Sequence, residues 1–114
     1  MADVRADAVH GSFCPKMCSF RCPVVAATGD ERAVPWALHT VVAALATGAR
    51  PPDGRAYRAL RGCTGCHACR DACLYDLDVP AQVQAGRAAV VAAGEAPPAV
   101  AVAVAHVAAG RSPY

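Results

Sequence analysis

Apolar positions recur with a helical period along much of this chain, and the elements they predict are helices. Over residues 35–47, Val34, Leu38, Val41, Val42 and Leu45 fall on one face. Pro35 suits the first turn of that helix and Gly48 its C-terminal cap. Residues 55–61 predict a short helix with Tyr57 and Leu60 inward. Its Arg55, Arg58 and Arg61 share a face, read as solvated ahead of a dock for an acidic partner or an offset to negative charge nearby. Residues 79–93 predict a further helix with Asp78 as N-cap, Pro80 in the first turn and Val79, Val83, Val90 and Val91 as its stripe. Residues 94–98 break it. The last segment, 99–110, is ambiguous, because Val100, Val102 and Val104 alternate as in a strand while Val100, Val104 and Val107 fit a helix. Its alanines and the lack of any partner strand favour helix. Thr28-Gly29-Asp30 and residues 50–54 carry turn signals. Residues 1–12 show no period and predict a loose leader. The class that follows is all-α.

With 114 residues, the chain suffices for one small domain with a thin core. The expected division is a leader over 1–12, the domain proper over 13–93, and a C-terminal helix and tail over 94–114. Glu95 is the one charge between residues 88 and 109, which raises a membrane-spanning reading; Pro97-Pro98 and the weak hydropathy of alanine argue against it. A net charge of +2 gives no reason to expect nucleic-acid binding. The seven cysteines change the picture most. They fall in two groups, in a chain that opens with Asp3, Arg5 and Asp7 and no apolar run. That pattern predicts a leaderless protein of the reducing cytoplasm whose cysteines bind a cofactor in place of forming disulfides.

The second group reads Cys63-Thr64-Gly65-Cys66-His67-Ala68-Cys69-Arg70-Asp71-Ala72-Cys73. This is C-x2-C-x2-C-x3-C, the spacing with which bacterial ferredoxins hold an iron–sulfur cluster. Thiolates two residues apart can curl around one cubane, and the fourth, on a following helix, points to a second cluster. Small residues between the ligands let the backbone approach and hydrogen-bond the sulfides. The alternative is a structural zinc module, although zinc sites more often use separated C-x2-4-C pairs. The first group is less regular. Cys18-x3-Cys22-Pro23 matches the end of the same pattern, but the earlier ligand positions hold Ser12 and Pro15, with Cys14 one residue out of register. After Cys73 the usual proline is replaced by Leu74.

Two such groups separated by helices resemble the α-helical ferredoxin domain of the heterodisulfide reductase, glycolate oxidase and anaerobic glycerol-3-phosphate dehydrogenase iron–sulfur subunits. The likeness rests on Cys18-x3-Cys22-Pro23, Thr28-Gly29, Pro35 opening a helix, the Cys63 to Cys73 motif and Asp78-Val79, and covers residues 14 to about 87. In that family a cysteine-rich catalytic half follows, so the chain is expected to be the electron-transfer half, as a separate subunit or a truncated product. The resemblance implies that the last cysteine of each group crosses over. Cys63, Cys66, Cys69 and Cys22 would then hold a complete four-iron cluster. Cys14, Cys18 and Cys73 would hold a second, either three-iron or completed by His10 or Ser12. His67 is expected beside the cluster or in solvent, and His39 and His106 on ordinary helix faces.

No general base, nucleophile or nucleotide loop accompanies these motifs, so no complete active site is expected. The function implied is a relay between a flavoprotein or other redox subunit and an acceptor, with a cysteine-rich catalytic subunit as a further partner. Its place would be the cytoplasm or the periphery of a membrane complex. A DNA-binding redox sensor would need a recognition helix and basic stripe that the sequence lacks.

Overall fold

Among residues 2–113, which the computed structural model describes, seven α-helices and two short 3-10 turns form the chain. Helix makes up 65%, with no strand among the described residues. In order these are α1 (Ala2–Phe13), a 3-10 turn (Met17–Phe20), α2 (Pro23–Thr28), a second 3-10 turn (Glu31–Ala33), α3 (Pro35–Ala46), α4 (Gly54–Leu60), α5 (Ala68–Asp71), α6 (Val79–Ala92) and α7 (Pro98–Ala108). Prolines open α2 and α3 and sit in the first turns of α6 and α7, where the missing N–H costs nothing. Asp53 and Asp78 cap α4 and α6 by accepting from the backbone N–H groups of Ala56 (2.8 Å) and Ala81 (3.0 Å).

Helices α1, α3, α4 and α6 enclose the core, formed by Ala8, Leu38, Val42, Leu60, Val79 and Val83 together with Cys18 and Cys69. The stripes expected on α3 and α6 are the buried ones: Leu38, Val42, Val83 and Val90 are sealed from solvent. Gly86 lets α6 approach its neighbours, since a Cβ there would lie 2.8 Å from Leu60 Cδ1 and 3.2 Å from Val42 Cγ2. Helix α7 is helical as the alanines predict, but none of its residues is buried. No helix among the described residues is long and apolar enough to cross a membrane.

The N-terminal segment corrects the expectation of a loose leader: it is helix α1, packed on α3. It meets the core through Val4 and the small residues Ala8 and Gly11, a face too weakly apolar to be read as a stripe. Ala8 is fully buried and Gly11 lies against the ring of His39.

His39 itself is 2% exposed. Its Nε2 has no partner among the described residues. Burial lowers its pKa from the ordinary 6.5 to about 4; nearby Asp7 opposes the fall and His10 adds to it. The folded chain therefore holds the ring neutral where the unfolded chain would protonate it. Its contribution is full above the ordinary pKa and is lost as pH falls from about 6.5 toward 4. By about pH 5 the loss is ~1–2 kcal/mol. Denaturation midpoints between about pH 7 and pH 5 should fall more steeply for wild type than for His39→Leu. Equal slopes would show that this ring does not titrate with unfolding.

Candidate functional site

The cysteines sit on tight connections between helices. From the end of α4 the chain turns through Cys63 to Cys66 and enters α5 at Ala68. Gly65 (φ 74°) and His67 (φ 63°) are both left-handed. Glycine adopts that conformation freely, whereas for His67 it costs about 1 kcal/mol. Lys16, between Cys14 and Cys18, is left-handed as well, at φ 64°. On the other side of the site, Cys22 is the N-cap of α2 and Pro23 its first residue.

Two cavities, both open to solvent, receive the side chains. The first is lined by Cys22, Cys63, Cys66 and Cys69, with Leu38 and Val79 behind them. The second is lined by Cys14, Cys18 and Cys73, with Lys16, Met17, Leu74 and Tyr75 around them. Cysteines far apart in sequence thus meet: Cys22 joins the group from Cys63 to Cys69, and Cys73 joins Cys14 and Cys18.

Burial pushes the Cys69 thiol up to about 12, helped by the adjacent Cys18 and Cys63. The Cys18 thiol is raised by burial and then by Cys14 and Cys73, while the backbone N–H of Trp36, in the first turn of α3, pulls it down. Cys18 and Cys69 belong to the same buried cluster, so the two cavities stand side by side. Thiols so placed stay protonated alone and lose their protons when a metal takes their place.

His10 and Ser12 lie near the second cavity without lining it. The exposed His10 ring packs on Tyr75 with centroids 4.3 Å apart, and the Ser12 hydroxyl donates to the Ala8 carbonyl at 2.8 Å. His67 lines the first cavity, its Nδ1 3.7 Å from Asp78 Oδ1. Trp36 carries the Lys16 ammonium over its ring at 4.1 Å. Arg55, Arg58 and Arg61 are all exposed. His106, on α7, is half-buried.

Several supporting residues escaped the sequence reading. Arg70 bonds Asp76 (3.2 Å) and Asp78 (3.0 Å), so the carboxylate that caps α6 also holds the cysteine loop. Arg87 reaches back from α6 to the carbonyls of Leu60 (2.8 Å) and Cys63 (2.7 Å). Asp78 was legible as a cap; nothing in the local sequence links Arg87 to residues 24 and 27 positions away.

No three or more His, Cys, Asp or Glu side chains among the described residues converge on a position for a single metal ion. Comparison with protein-family models, with curated proteins and with solved structures returns no match.

Proposed function

We propose that this chain is an iron–sulfur electron-transfer module of the α-helical ferredoxin kind, working as a component of an oxidoreductase. The observation that carries the proposal is the meeting of four cysteines, Cys22, Cys63, Cys66 and Cys69, on one cavity. An all-thiol donor set on a solvent-open cavity suits a cluster with thiolate ligands. Cys14, Cys18 and Cys73 would hold a second cluster, with His10 and Ser12 the nearest candidates for its remaining position. A bound cluster supplies one-electron transfer, while the chain supplies thiolates, burial and hydrogen bonds that set the potential.

The neighbouring placement of Cys18 and Cys69 favours relay between the two sites. The surroundings of the second cavity favour exchange with a partner: Leu74 is 81% exposed and Met17 54%, with Tyr75 beside them. The partner we infer is a flavoprotein or another redox subunit, a cysteine-rich catalytic subunit included, in a reducing compartment such as the cytoplasm.

Protein purified anaerobically should be brown, with acid-labile sulfide matching its iron. Two loaded sites give about eight irons per chain and two paramagnetic signals on reduction, and a second site holding three irons gives about seven. A colourless protein carrying zinc and no sulfide would replace this reading with a structural zinc module.

A further inference from the structure

Arg87 stands behind the first cavity, bonded to the backbone of one of its cysteines without lining the cavity itself. It is half-buried on α6, and its Nη2 donates to the carbonyls of Leu60 (2.8 Å) and Cys63 (2.7 Å). Leu60 is the last residue of α4, so the first of these bonds closes a helix C-terminus. The second holds the backbone of a residue whose side chain lines the cavity. The rest of the guanidinium is poorly served. Nη1 is 3.5 Å from Gln84 Oε1, and Nε is buried with no partner among the described residues. The ion pairs of the described residues engage Arg32, Arg50, His67 and Arg70, and no carboxylate pairs with Arg87.

A half-buried cation that faces neutral acceptors, one of them the backbone of a cavity cysteine, is well balanced by an anion in that cavity. Thiolates around an iron–sulfide core make such an anion, and the core gains one more negative charge on reduction. A fixed positive charge close by stabilises the reduced form more than the oxidised one, by Coulomb attraction in partly desolvated surroundings. We propose that Arg87 is a positioning residue that clamps the Cys63 end of the loop and, through its charge, raises the potential of the cluster held by Cys22, Cys63, Cys66 and Cys69. This inference rests on the iron–sulfur reading above.

The test compares anaerobic wild type, Arg87→Met and Arg87→Lys by iron and sulfide content, redox titration followed by paramagnetic resonance, and the rate of iron loss to a chelator. Arg87→Met should reduce less readily, its reduced-to-oxidised ratio at fixed potential falling roughly tenfold, or ~59 mV for one electron. It should also lose iron faster. Arg87→Lys should restore the potential but not the resistance to chelator, because its shorter, flexible stem does not hold both carbonyls as the preorganised planar guanidinium does. A loaded Arg87→Met protein with an unchanged midpoint overturns the electrostatic role, and unchanged iron loss overturns the clamp. If Arg87→Met takes up no first cluster, Arg87→Lys decides: faster iron loss than wild type supports the clamp, and loss at the wild-type rate overturns it. Wild type lacking iron and sulfide overturns the iron–sulfur reading and this inference together; a loaded wild type matched by its variants overturns this inference alone.

Discussion

Cys22→Ala is expected to abolish the first cluster and leave the second in place. Iron content should fall by about half, and the surviving signal should be the one that Cys14→Ala removes. The sequence puts Cys22 in a group with Cys14 and Cys18, and a reading by nearness would assign its loss to their site. The cavity says otherwise, since Cys22 enters at the N-cap of α2 and shares its wall with Cys63, Cys66 and Cys69. Removing any one of the four should therefore give the same phenotype, and Cys66→Ala serves as the reference. Loss of the second signal from Cys22→Ala, with the first intact, would mean that the sites are built from neighbours in sequence.

Gly11→Ala is expected to destabilise the protein by about 3 kcal/mol, although alanine is the better helix former by about 1 kcal/mol. A Cβ on Gly11 would fall on the His39 ring, overlapping Nδ1 and Cε1. That ring is buried between α1 and α3 and has nowhere to turn. Parting the helices would also move the second site, because Cys14 follows α1 directly and its thiol donates to the Gly11 carbonyl at 3.3 Å. Gly11→Ala should thus lower the denaturation midpoint and make the second cluster labile while the first persists. Adding His39→Ala should recover part of the loss, by the coupling that contacting residues show. A single variant as stable as wild type would show that α1 and α3 separate at little cost.

How much of this was visible beforehand depended on whether a signal was local. The helices α3 and α6 were legible because valine and leucine recur at helical spacing on their buried faces, with Pro35 and Asp78 marking their starts; α4 was legible through Leu60, while its buried Ala56 and its Asp53 cap were not read. Helix α1 was not, because Ala8 and Gly11 make contact by being small, and smallness carries no periodic signature. Gln82, polar in sequence yet 4% exposed, is likewise buried by its position on α6 and not by its chemistry. At the site, the cysteine spacing announced a ligand loop, and the family resemblance implied how the groups would be divided. The left-handed turn at Lys16 had no such announcement, since lysine does not favour it, and the one at His67 had only the weak enrichment of histidine in that conformation. Nor did the bonds from Arg87 and Arg70, which span the fold between elements that only tertiary packing brings together.

Helix α7 has a consequence for how the molecule distributes change. Eleven residues, nearly all alanine and valine, form it with no buried face. A helix of that length gains little from propensity alone, and most helical stability in proteins comes from packing. For α7 the half-buried residues are Val100, Ala103 and His106, spaced along one face. Its exposed valines, Val102, Val104 and Val107, stand apart from the core, and substitutions there should add to those of core substitutions with little coupling. The terminal helix is thus the part of the chain most open to change without disturbing the cysteine-bearing bundle.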